Sequence, residues 1–100
     1  SGKYGIFHAC EFETSLMLDA RPETVHMELA VDEDPVECLR DNDYATLFGP
    51  FNVGWKTSDV TKSGVIGAPT LATAEKGAKL FDYAIKELKD IISAFAKINY

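Results

Sequence analysis

Apolar positions in the last third of the chain recur at helical intervals. Phe81, Ile85, Leu88, Ile92 and Phe95 are spaced 4, 3, 4 and 3 apart and draw one stripe along a helix predicted over Leu71–Ile98. Lys76, Lys79, Asp82, Lys86, Lys89, Asp90 and Lys97 fall mainly off that stripe. Pro69-Thr70 precedes the helix, and Thr70 or Thr73 can cap it. Gly77 weakens the first turns by up to ~1 kcal/mol relative to Ala unless a close neighbour needs the space. The stripe predicts core, packed on a sheet face or another helix, with part of it facing another chain.

The front of the chain changes period. Tyr4-Gly5-Ile6-Phe7-His8-Ala9 is a short apolar run and predicts a buried strand. Glu11 to Ala20 then takes helical spacing, with Phe12, Leu16 and Met17 on one face. Glu11 and Glu13 stand in the first turn, where the helix dipole favours carboxylates. Pro22 closes that helix or opens a short one over Pro22–Val25. From Ala30 to Ala68 the pattern is irregular, punctuated by Gly49-Pro50, Gly54, Gly64 and Gly67. So long an irregular stretch predicts ordered loops over a site or interface, with strand-like pieces near Phe51–Trp55.

Composition narrows the function. A chain of 100 residues, 46% hydrophobic and 26% charged, is an ordinary single globular unit. At that length only ~60–65% of the unfolded surface can be buried, so an apolar face needing a partner is expected. The net charge of −6 excludes a nucleic-acid footprint or an anionic membrane surface. No apolar run reaches the ~18 residues of a membrane span. The start, Ser1-Gly2-Lys3-Tyr4, has no signal-peptide h-region and no initiator Met, which fits a trimmed chain. Two cysteines, Cys10 and Cys38, make no disulfide framework, so a cytoplasmic location is expected. Both read as buried or neutral, Cys10 as a small filler more than a nucleophile.

One segment concentrates chemistry. His8-Ala9-Cys10-Glu11-Phe12-Glu13-Thr14-Ser15 runs from the predicted strand end into a helix start, where α/β folds collect catalytic groups. An imidazole with carboxylates can hold Zn²⁺ or Mn²⁺, or move protons near neutral pH. The His8–Glu11 spacing matches no established zinc pattern, and the segment alone gives two or three ligands at most. The plainer reading is a half-buried histidine beside carboxylates that cap a helix, with Thr14 and Ser15 as helix-start hydrogen bonders. Asp32-Glu33-Asp34 reads as a solvated turn, and Trp55 as packing or the lining of a substrate pocket.

The string HACEFETSLML over residues 8–18 resembles the creatininase-family signature HAGEFETS, with its apolar helix and Arg-Pro pair, here Arg21-Pro22. SGVIGAPTLATAEKG over residues 63–77 is similar to the family's SGVxGDPxLATAEKG, again before a long terminal helix. Two motifs in the right order are more specific than either alone.

The resemblance implies the C-terminal part, residues 1–100, of a longer α/β domain. That domain is a three-layer fold around a mostly parallel central sheet, ending in a long amphipathic helix. It implies a metal-dependent hydrolase of cyclic or linear amides or related carbonyl substrates, with metal-activated water attacking the carbonyl carbon. Two divalent ions per site are implied, Zn or Mn, with Fe as the further candidate. The family's other metal-ligand segments, a Glu-x-His, a downstream Asp and an NGH, have no match here, and His26 fits none of them. A second chain or N-terminal fragment completing the fold is therefore expected, as is a homo-oligomer. By resemblance His8 is the catalytic proton shuttle, Glu11 a ligand of the second metal, and Glu13 a catalytic, substrate-positioning carboxylate. Cys10 stands where the family has Gly, and Ala68 where it has Asp. Those departures leave a non-enzymatic interaction module on the same scaffold as the rival reading, and a thiol-redox protein using Cys10 as a weaker third.

Overall fold

The structure, a computed structural model, describes residues 6–40, 42, 44, 50–52 and 54–98. Helix α1, Glu11–Ala20, occupies the span its spacing predicts. The backbone N–H of Cys10 donates to Glu13 Oε2 at 3.2 Å and closes its first turn. The helix ends where Arg21 N–H reaches Met17 O at 2.8 Å and Pro22, unable to continue the ladder, begins a 3₁₀ turn over Pro22–Thr24. A second 3₁₀ turn covers Met27–Leu29. Single turns α2, Glu37–Arg40, and α3, Thr57–Val60, carry the middle of the chain. After a 3₁₀ turn at Pro69–Leu71, helix α4 spans Ala74–Phe95. Thr73 is its cap, its Oγ1 accepting the Lys76 N–H at 3.3 Å.

The segment around residues 65–68 ties the front to the middle. His8 and Ile66 form one antiparallel bridge, and Glu33 and Gly67 form the next. Among the described residues these pairings remain isolated bridges and no strand forms. The predicted strand Tyr4–Ala9 thus shows as a single bridge at His8; Ile6 is 68% exposed, and Tyr4 and Gly5 lie outside the described residues. Of the strand-like pieces expected near Phe51–Trp55, Val53 lies outside them too, as does Phe48 in the loop before it. Trp55 stacks at a tilt on Phe7, ring centroids 5.8 Å apart, which is its packing role.

Two carboxylates clamp this region, so Asp32-Glu33-Asp34 is more than the expected solvated turn. Glu33 accepts from the N–H groups of Lys62 (2.7 Å) and Ser63 (2.9 Å) and from the Ser63 hydroxyl. Asp32 accepts from the N–H (3.1 Å) and hydroxyl (2.7 Å) of Thr70.

The interior is small. Val60 and Ile66 are buried, with Phe7 and Leu39 packed against them, and Cys10 and Ala72 are buried as well. Cys10 is the filler expected; Cys38 is exposed. Helix α1 lies on α4 at a crossing of two small residues, Ser15 and Gly77, both buried.

The stripe of α4 is open within the described residues. Ile85, Leu88, Ile92 and Phe95 are 54–62% exposed, because the described residues form no layer to receive them. The chain exposes 7227 Å². A folded monomer of its mass exposes about 5,600 Å². Its Cα radius of gyration is 16.9 Å. Roughly 13 Å is usual for that length. Both values exceed those of a compact monomer of this length.

Candidate functional site

The two motifs are one structural unit. His8 N–H donates to Ile66 O at 3.2 Å and Ile66 N–H returns to His8 O at 2.9 Å. Seven residues further on in each motif, Ser15 Oγ accepts the Thr73 N–H at 3.2 Å. A bridge thus joins the start of the first motif to the second, and a helix crossing joins their ends.

Between His8 and α1 the chain turns sharply. Ala9 sits at φ +49°, in the left-handed region that costs a residue with a Cβ roughly 1 kcal/mol or more. Such strain tends to gather at functional positions. It separates His8, held in the bridge with its ring exposed, from Cys10, buried as the helix cap.

The helix then sends its two glutamates to different places. Glu11 meets Lys76, Nζ to Oε1 2.6 Å, and lines a groove of about 350 Å³ with Ile6, Phe12, Lys79 and Leu80. Glu13, two residues on, lines a separate groove of about 460 Å³ with Ala9, Thr14, Met17 and His26. His8 lines neither groove. His26, which matches no family segment, shares the groove of Glu13, and its Nδ1 lies 3.1 Å from Glu28 Oε1.

Among the described residues no three His, Cys, Asp or Glu side chains gather closely enough to hold a metal ion. The donors present do not fit one by themselves. One oxygen of Glu11 is taken by an ammonium, one of Glu13 by the Cys10 N–H, and the His8 ring faces outward.

Charge is ordered mainly by local donors. Glu33 is held down to about 2 by the N–H of Lys62, then by the hydroxyl and N–H of Ser63. Its own backbone N–H, then the Thr73 side chain, lowers Glu75 at the start of α4. The clamp carboxylates escaped sequence reasoning because their partners lie 29 to 38 residues away.

Comparison with known proteins fits this arrangement. The profile described as creatinine amidohydrolase, of the creatininase family, matches residues 1–92, an extent that takes in both motifs and most of α4. The chain belongs to the creatininase family. It is 38% identical over 102 aligned positions to the 3-dehydro-scyllo-inosose hydrolase of Thermotoga maritima. That alignment covers 88% of this chain and 33% of the relative, so the chain spans about a third of the relative's length. No solved structure matches. No helix among the described residues is long and apolar enough to cross a membrane.

Proposed function

We propose that this chain is the C-terminal portion of a metal-dependent hydrolase acting on a cyclic or linear amide or a related carbonyl substrate. The observation that carries the reading is the junction of the two family motifs. It presents the exposed His8 ring beside a strained turn, at the edge of a bridge a neighbouring strand can extend. In this reading His8 carries the proton to the leaving group, a task suited to an imidazole near neutral pH. Glu13, in a groove with Thr14 and His26, positions substrate from the adjacent helix face.

The rest of the site belongs to polypeptide beyond this chain. The reading places there most ligands for two divalent ions, Zn or Mn with Fe as alternative, and the strands of a mostly parallel sheet in a three-layer α/β domain. The exposed stripe of α4 supports it, since an apolar sheet face is the natural cover for four large side chains in line. A homo-oligomer built from such completed domains and a cytoplasmic location complete the proposal; the free thiols of Cys10 and Cys38 suit a reducing compartment.

Turnover by the assembled protein tests this. A panel of creatinine, simple lactams, linear amides and 3-dehydro-scyllo-inosose is offered with and without a chelator. Hydrolysis of at least one member, lost on chelation and restored by Zn or Mn, is expected. The interaction-module reading, favoured by Cys10 and Ala68 at the family's Gly and Asp positions, predicts no turnover and no bound metal at any loading.

A further inference from the structure

We propose that Glu11 is the anchor of helix α4, held by Lys76 as a positioning pair, and that it is not a metal ligand. The Lys76 ammonium is fixed by two acceptors, Glu11 Oε1 and Leu71 O, each at 2.6 Å. The Glu11 side chain is only 20% exposed, so its charge is partly withdrawn from water and needs a partner.

Lys76 is not free to swing aside with its helix. Its N–H is taken by the cap Thr73, and the Thr73 N–H is taken by Ser15 on α1. The next residue, Gly77, lies against the Ser15 backbone. Moving Lys76 off Glu11 therefore means breaking its side-chain bonds or sliding α4 along α1.

The groove around Glu11 also disfavours a cation. Lys76 and Lys79 both line it, beside Ile6, Phe12 and Leu80. A zinc ion bound at about 2.0–2.2 Å from the Glu11 carboxylate would sit within a few ångströms of the Lys76 ammonium in a partly desolvated place. The pair instead fixes the first turn of α1 and, through Cys10 and Ala9, the direction in which the chain leaves His8. The role of the pair is independent of the hydrolase reading; only the metal arm of its test rests on that reading.

The test uses the assembled protein with Glu11→Gln, Lys76→Met, both together, and Lys76→Arg. Melting temperature and Zn or Mn bound per chain after loading with the metal salt are read for each. Each single neutralisation lowers Tm by about 2–4 °C. The double variant falls no further than the worse single, Lys76→Arg restores Tm, and metal content stays at the wild-type value throughout. Loss of metal in Glu11→Gln, additive Tm losses, or an unchanged Tm in Lys76→Met overturns the proposal. Should Glu11→Gln fail to fold, the contrast between Lys76→Met and Lys76→Arg still decides it. Wild-type protein that takes up no metal removes the hydrolase reading and leaves the Tm comparison intact.

Discussion

Gly77→Ala is the perturbation with the clearest sign. On an open helix face this change adds up to ~1 kcal/mol of stability, because Ala is the better helix former. At this crossing a Cβ on residue 77 would lie 2.0 Å from the carbonyl oxygen of Ser15, 2.7 Å from its carbonyl carbon and 2.9 Å from Asp19 Cβ. Ordinary carbon–oxygen contacts begin near ~3.3 Å, so α1 and α4 must part by about 1 Å. A gap of that size forfeits roughly a quarter to a half of each dispersion contact across it. It also stretches the Thr73 N–H to Ser15 Oγ bond, now 3.2 Å, out of range, at about 0.5–1.5 kcal/mol. Set against the helix-propensity gain, the net is a destabilisation of about 1–3 kcal/mol. A denaturant titration of the assembled variant against wild type measures it through the midpoint at unchanged slope. A variant as stable as wild type, or more so, would refute the close crossing and the helix pairing built on it.

Other outcomes follow from single contacts. The Glu33 carboxyl is lowered from 4.5 to about 2 on folding, so its stabilisation is complete above pH 4.5 and disappears as pH falls towards 2. Glu33→Gln should shrink the difference in Tm between pH 6 and pH 3; an unchanged difference would remove the clamp. Ala9→Gly relieves a left-handed residue, and thermal melting should show Tm unchanged or raised by a few degrees, where an extended Ala9 would lose stability. Leu88→Glu should prevent assembly with the completing polypeptide in size-exclusion chromatography. If the α4 stripe faces water in the whole protein, the same change stays within about 0.5 kcal/mol of wild type.

The helices were legible because their signals are local. The spacing of Phe81 through Phe95 and the punctuation at Arg21-Pro22 depend only on neighbours along the chain, and α1 and α4 follow them. Thr73 was among the candidate caps for the same reason. The crossing was not legible, since the residue of α1 that reaches the interior is Ser15, a small polar side chain between the more apolar Phe12 and Leu16. An acidic run such as Asp32–Asp34 gives no sign of amide partners some thirty residues away. Burial of the α4 stripe depends on a layer that the described residues lack, so no periodicity within them could establish it. The motif around His8 was readable as a string. Its geometry was not, because one turn of helix sends Glu11 towards α4 and Glu13 into another groove.

The central claim is that His8 stands in a hydrolytic site shared with polypeptide outside this chain. Steady-state turnover of His8→Ala in the assembled protein, on the best substrate of the panel and at full metal loading, tests it most directly. The account predicts a fall in kcat of about 10²–10⁴-fold with bound metal unchanged. Turnover at the wild-type rate would contradict it.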